Sequence, residues 1–242
     1  VRKSFSIAGK ARELQMKNLL MLVMIFTLGL GAVVAVAKDK KTLPETTVEG
    51  LVRVPNPERM AVVYAEPGAN LSQYNRVYLV EPYVAFKKNW QRDQNRGYVN
   101  KVSTNDMNRI KANVAELFME VFTTELQEGG YELATERAED VLIVKPAIID
   151  LDVNAPDIMS AGRTRTYAQD AGSMTLYIEL YDSATDDILA KALDAKADRQ
   201  SAFMQWQTGP ANRAAGKRMM KPWAKALVDA LDDAHRGTAE NQ

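Results

Sequence analysis

Asp150, Asp152, Asp157 and Asp170 stand close together in the sequence. A glycoside hydrolase needs two carboxylates set about 5–10 Å apart, one as acid and the other as base or nucleophile. That is the chemistry these residues could do. The chain holds 31 acids in all, and clustered acids more often form a solvated face. The spacing Asp150-x-Asp152-x-Asn154 also begins like a calcium loop. Such a loop needs Gly at its sixth position for the sharp turn and Glu at its twelfth as a bidentate ligand. Ala155 and Ala161 occupy those places, so no metal site is assigned.

Composition removes other chemistry. With no Cys among 242 residues, no thiolate nucleophile, disulfide, zinc–thiolate site or iron–sulfur cluster is possible. The single His, His235, cannot build a multi-histidine metal site and lies near the C-terminal end. Gly172-Ser173 is not a nucleophile elbow, because Thr175 stands where Gly is required. Gly209 to Lys217 is not a phosphate loop: six residues separate Gly209 from Gly216, and Arg218 follows Lys217. The motif requires four residues there, then Ser or Thr after the Lys. No catalytic residue and no cofactor are assigned.

Two basic stretches say more. Lys87, Lys88, Arg92, Arg96 and Lys101 are interleaved with Phe86, Trp90 and Tyr98. Arg199, Arg213, Lys217, Arg218, Lys221 and Lys225 run without an acid to Val228, and Asp229, Asp232 and Asp233 follow. On a helix this second pattern opposes the macrodipole, at a few tenths of a kcal/mol per charge. It therefore points to another use for the charges. The candidate is a surface for an anionic partner, built from Lys87, Lys88, Trp90, Arg92, Arg96, Arg213, Lys217, Arg218 and Lys221. Two separate solvated basic surfaces would explain the same residues. Basic and aromatic residues together suit nucleic acid in a cytoplasmic protein. In an exported one the partner is instead an envelope protein, an anionic lipid or a glycan. His235 suits a cation at a helix end, Trp223 reads as core, and Trp206 as an exposed anchor.

Export is read from the N-terminus. Leu19 to Ala37 carries no charge, Lys17 precedes it, and Lys38-Asp39-Lys40-Lys41 follows. Ala35-Val36-Ala37 supplies the small residues of a cleavage site. Residues 1–37 are thus expected to be a signal peptide, with translation starting at Met16 and cleavage after Ala37. An uncleaved anchor is the alternative, since about 20 apolar residues span a bilayer. Without Cys there is no site for lipid attachment at a mature N-terminus. The formal charge of zero includes Arg2, Lys3, Lys10, Arg12 and Lys17, so the remainder is mildly acidic.

Residues 38–70, with Pro44, Pro55, Pro57 and Pro67, read as an extended leader with one short strand near Met60–Tyr64. Tyr74 to Phe86 reads as a strand and Lys87 to Val102 as a loop. Thr104 to Glu128 is an amphipathic helix, with Met107, Ile110, Val114, Leu117, Phe118, Val121, Phe122 and Leu126 on one stripe. Ser103 or Thr104 caps it, and Gly129-Gly130 ends it. A short strand at Tyr131–Ala134 and a long one at Val141–Val153 follow. Ala155 to Ala171 reads as a loop. Ser173–Tyr181 and Ile188–Ala197 form a hairpin around the polar turn Asp182–Asp186. Pro210–Arg236 is a second helix, in two segments or kinked at Pro222, with residues 237–242 as a tail. The sum is one α+β domain over residues 71–236, a mostly antiparallel sheet with two amphipathic helices packed on one face.

Several segments resemble one bacterial family of exported proteins. They are Leu71-Ser72-Gln73-Tyr74 leading to Val77-Tyr78-Leu79-Val80-Glu81-Pro82-Tyr83-Val84, the first helix, Ile148-Ile149-Asp150-Leu151-Asp152, and Tyr177-Ile178-Glu179-Leu180-Tyr181-Asp182-Ser183-Ala184-Thr185. The family is domain of unknown function 3313. The resemblance covers about Leu71 to Arg236 and implies export but no activity. Many members look like lipoproteins, whereas this chain has no Cys to carry the lipid. The strand order is also broadly similar to accessory domains of envelope assembly and transport proteins. The expected function is non-enzymatic binding or accessory work in the cell envelope, in the periplasm, without nucleic acid and without a membrane span after cleavage. A carboxylate-dependent hydrolase of envelope glycan and a structural subunit of an envelope oligomer are the alternatives.

Overall fold

The computed structural model describes residues 43–96, 101–154, 166–168, 172–198, 205–207 and 209–239. The expected signal peptide lies outside them. Residues 44–242 form a unit of their own. Its longest strand is β6 (Val141–Val153), where a continuous apolar run turns into an alternation. On one edge β6 pairs antiparallel with β8 (Gly172–Asp182), which returns as β9 (Ile188–Ala197) in the predicted hairpin. On the other edge it pairs with β3 (Arg76–Leu79) and β4 (Tyr83–Phe86), both parallel and laid end to end along it. The expected single strand Tyr74–Phe86 is thus two. Pro82 stands between them and has no N–H for a ladder.

The expected leader is corrected. β1 (Val52–Arg53) and β2 (Val62–Ala65) extend the sheet, with β2 antiparallel to β9. Leu51 and Tyr64 are buried. Pro55 and Pro57 fall between the two strands, where no ladder donor is needed. The sheet therefore begins well before Leu71. Its order is β1-β2-β9-β8-β6-β3-β5, with β5 (Glu132–Leu133) at the far edge and β4 beside β6. Two more segments read as loops carry structure. A short helix, α1 (Trp90–Gln94), lies within Lys87–Val102, and β7 (Thr166–Ala168) pairs with β10 (Gln205–Gln207) in a separate two-stranded sheet. Thr-Tyr-Ala against Gln-Trp-Gln places aromatic and β-branched residues where strands favour them.

The first long helix, α2 (Thr104–Glu128), starts at a Ser103–Asp106 capping box. That arrangement satisfies two otherwise orphaned amides. It ends where Gly130 takes φ +87° and Tyr131 N–H donates to the Leu126 carbonyl. The second, α3 (Gly209–Ala239), is one helix with Pro222 inside it. Phe118, Val121, Phe122 and Leu126 of α2 join Met220, Trp223, Leu227 and Leu231 of α3 over Leu142, Val144, Ile148, Leu176 and Ile178 of the sheet in one core. Each such side chain contributes about 1.5–3 kcal/mol by leaving water.

β6 is interrupted near its end. Asp150 takes φ +51°, and the register against β8 shifts between Ile149 and Asp152. This is a β-bulge, which re-aims the side chains that follow it. Across the ladder lies Gly172 at φ +133°, where a Cβ would stand 1.9 Å from the Asp152 carbonyl oxygen. The bulge sends Leu151 into the core and leaves Asp152 near the end of β4.

Candidate functional site

The bulged end of β6 is the anchor for α1. Lys87 N–H donates to the Leu151 carbonyl at 3.0 Å. Trp90 Nε1 and Gln94 Nε2 both donate to the Val153 carbonyl, at 3.2 and 3.1 Å. Gln91 and Asn95 bond the Val102 backbone on the far side. Trp90 is 3% exposed and stacks on Phe86 with ring centroids 4.1 Å apart. It is a wall of the site. A five-residue helix has almost no stability of its own, so these contacts set its place.

Around that wall the chain forms an open recess of about 450 Å³, lined by residues 85–92 together with Met107 and Lys111 of α2. Four of the lining side chains are cations, Lys87, Lys88, Arg92 and Lys111, and none is acidic. Lys111 Nζ lies 6.0 Å from the Phe86 ring centroid, at the limit of a cation–π contact. Lys87 Nζ bonds Asp152 Oδ2 at 2.9 Å, and this bond holds its ammonium above the usual lysine range. Arg92 pairs with Asp93 at 3.2 Å, an exposed pair worth little. Lys88, Lys111 and Arg96 have no carboxylate partner among the described residues.

The structure thus gathers Lys87, Lys88, Trp90 and Arg92 of the predicted surface. Arg96 does not line the recess. Lys111 and Phe86 complete it and were missing from the sequence-based set; the place of Lys111 over the Phe86 ring depends on a helix outside the basic stretch. The α3 cations lie elsewhere and carry intramolecular partners. Arg213 meets Glu116 and Glu120, Lys217 meets Glu120 at 2.9 Å, Lys221 meets Glu125 at 2.8 Å, and Arg218 meets Asp198 at 2.9 Å. Acids of α2 therefore offset the bases that oppose the α3 dipole. The bond from Lys217 holds the Glu120 carboxyl below its ordinary range.

Of the acidic candidates, Asp150 and Asp152 are among the described residues. Asp150 is exposed at the bulge, Asp152 is held by Lys87, and Asp157 and Asp170 lie outside the described residues. Trp223 is core, as expected. The His235 Nδ1 lies 2.7 Å from the Leu231 carbonyl within its own helix. The side chain of Trp206 lies outside the described residues.

Sequence reading also missed a buried polar cluster on the sheet face away from the helices. Glu179 is 2% exposed and accepts from Tyr177 Oη at 2.5 Å and Tyr181 Oη at 2.7 Å. Lys191 lies 3.5 Å from it and bonds Glu49 at 2.7 Å. Lys145 Nζ sits 3.8 Å from the Tyr181 ring centroid. Burial, then the Glu179 charge, pushes both phenols well above the ordinary tyrosine range. The cluster is a satisfied network. The alternation of Tyr177, Glu179 and Tyr181 along β8 is the signal that could have found it.

The family model described as protein of unknown function (DUF3313) matches residues 47–227. The chain belongs to this family. Three solved structures are similar to this DUF3313 chain at low identity. One is a Xanthomonas campestris protein of the DUF330 family, 13% identical, covering 72% of this chain and 92% of that one, with a TM-score of 0.38. Another is the PelC dodecamer of Paraburkholderia phytofirmans, at 11% identity, 68% and 95% coverage and a TM-score of 0.36. A minor lipoprotein of Acinetobacter baumannii is 9% identical, with 65% and 92% covered and a TM-score of 0.31. No curated protein matches the chain significantly. Among the described residues no helix is long and apolar enough to cross a membrane, and no group of three His, Cys, Asp or Glu could hold a metal ion.

Proposed function

We propose that this DUF3313 protein is an exported, non-enzymatic accessory module of the cell envelope that binds an anionic partner at the recess beside Phe86 and Trp90. One observation carries the reading: Lys87, Lys88, Arg92 and Lys111 surround the same concavity and no acid lines it. Such a cluster raises the local potential and draws in anions. The uncharged stretch Leu19–Ala37 with its Ala-Val-Ala end supports export. The hydrolase reading has less support, because Asp152 is engaged by Lys87.

The test is charge reversal of Lys88→Glu with Lys111→Glu in the expressed protein. Neither side chain has a described carboxylate partner, so the fold should persist. Loss of co-fractionation with envelope material, with an unchanged circular dichroism spectrum, is the predicted result. A folded double variant that stays with the envelope as before would remove the reading. Asp150→Asn, at an exposed residue that does not line the recess, should leave association intact, whereas an envelope-glycan hydrolase that uses this carboxylate would lose its activity.

A further inference from the structure

A second concavity lies beside the first along the early turns of α2. It holds about 400 Å³; Leu117, Leu151, Met174, Met219 and Met220 give it apolar lining, and Arg109, Asn113, Asp152, Ser173, Asn212 and Arg213 line it as well. Its cause is the stagger of the two long helices. They run parallel, because Arg213 meets Glu116 and Lys221 meets Glu125. α2 therefore starts roughly two turns before α3 does, and those turns extend past the N-terminal end of α3. Gly216 brings α3 close to α2 just past this point, where a Cβ would meet Leu117 Cδ2 at 2.8 Å. The groove thus narrows toward Gly216.

Two relationships join this groove to the basic recess. α2 gives Met107 and Lys111 to the recess and Ile110 and Val114 to the groove. At 3.6 residues per turn these positions lie on neighbouring stripes of the helix, so the two spaces adjoin along one side of it. Lys87 lines the recess, Asp152 lines the groove, and the two are paired at 2.9 Å. That ion pair is the partition between the two spaces.

We infer that recess and groove are two halves of one site for a single amphipathic anion, a lipid with a phosphate headgroup. The inference rests on the anion-binding reading of the recess. The phosphate sits among Lys88, Arg92 and Lys111, where charge-assisted bonds from ammonium and guanidinium groups suit it. The acyl chain lies in the groove. Thioether side chains such as Met174, Met219 and Met220 adapt to irregular apolar shapes. A volume of about 400 Å³ falls in the range of small-molecule sites. An anionic glycan would use the recess and leave the groove empty, which separates the two occupants.

Isothermal titration of the purified protein with three soluble probes tests this: dihexanoyl phosphatidic acid, dihexanoyl phosphatidylcholine and inorganic phosphate. The phosphatidic acid should bind at least tenfold more tightly than either of the others. Val114→Trp, which fills the groove, should weaken it about tenfold and leave phosphate unchanged. Lys88→Glu with Lys111→Glu should weaken both. Ile110→Trp repeats the groove test should Val114→Trp fail to fold. Equal affinity for phosphate and phosphatidic acid, unmoved by either Trp variant, overturns the inference while the recess reading stands. Phosphatidylcholine binding as tightly as phosphatidic acid, with no effect of charge reversal, overturns both. Absence of binding by any probe overturns the lipid inference and leaves the recess to the envelope-association assay.

Discussion

Trp223 donates its indole N–H to Asp194 Oδ2 at 2.7 Å, tying the middle of α3 to strand β9 beneath it. Both residues are buried. Asp194 also accepts from the Ala61 amide at 3.2 Å and pairs with Lys196 at 2.7 Å. One carboxylate thus holds the helix, the hairpin and the segment leading into β2. Trp223→Phe keeps an aromatic ring but removes one donor. Hydrogen bonds to charged groups contribute about 1.5–3 kcal/mol, so the variant should lose about 2 kcal/mol in urea unfolding. A loss near zero would show that Asp194 is satisfied without the indole.

The bulge makes a paired prediction of opposite sign. Gly172→Ala would push a Cβ onto the Asp152 carbonyl and strain a φ of +133°. It should cost about 3 kcal/mol, as backbone outliers with steric overlap do. Asp150→Gly relieves a left-handed aspartate at φ +51° and should be neutral or stabilising by up to about 1 kcal/mol. Melting temperatures of the two variants should move apart on either side of the parent.

Acid stability has a named contributor. Tyr74 Oη donates to Asp182 Oδ2 at 2.7 Å, across 108 residues of sequence. That bond, followed by the Thr185 and Ala184 amides, holds the Asp182 carboxyl below its ordinary range. Burial is the larger cause of the shift in the Tyr74 phenol, pushed up to about 12. For Asp182 the unfolded chain binds the proton more readily than the folded one. The stability it contributes is present above the usual carboxylate pKa near about 4 and is lost as pH falls through the depressed folded value. Tyr74→Phe should cost about 1 kcal/mol at pH 7. The gap from the parent should narrow below about pH 3 when urea midpoints are compared across pH.

The ion pairs between α2 and α3 predict a salt effect. Glu120 faces Arg213 and Lys217 together, and exposed pairs of this kind are screened by salt. Glu120→Gln should lower the melting temperature at low ionic strength and much less at 1 M NaCl. Equal shifts at both would assign the residue a packing role instead.

Much of this architecture is visible in the residues themselves. Ser103, Asp106 and Gly129-Gly130 bracket α2, and the apolar alternation of β8 and β9 around Asp182–Asp186 gives the hairpin. β1 was illegible because a strand of two residues next to prolines carries no period, whereas β2 at Val62–Ala65 answers to the short strand expected near Met60–Tyr64. α1 owes its existence to Trp90 meeting the Val153 carbonyl, a contact no local pattern encodes. The bases of α3 look unexplained along the chain, because Glu116, Glu120 and Glu125 answer them from a different helix. Three of the four cations of the candidate site, Lys87, Lys88 and Arg92, were readable as a basic stretch with aromatics. Lys111, on a helix judged only by its apolar stripe, was not.

Strand β2 finds its partner late. Ala61 and Asp194 are separated by 133 positions, and β9 is among the last strands to leave the ribosome. The edge of the sheet cannot close while most of the chain is still missing. Non-local pairing of this sort slows folding, and in a nascent chain it leaves the N-terminal third without its sheet.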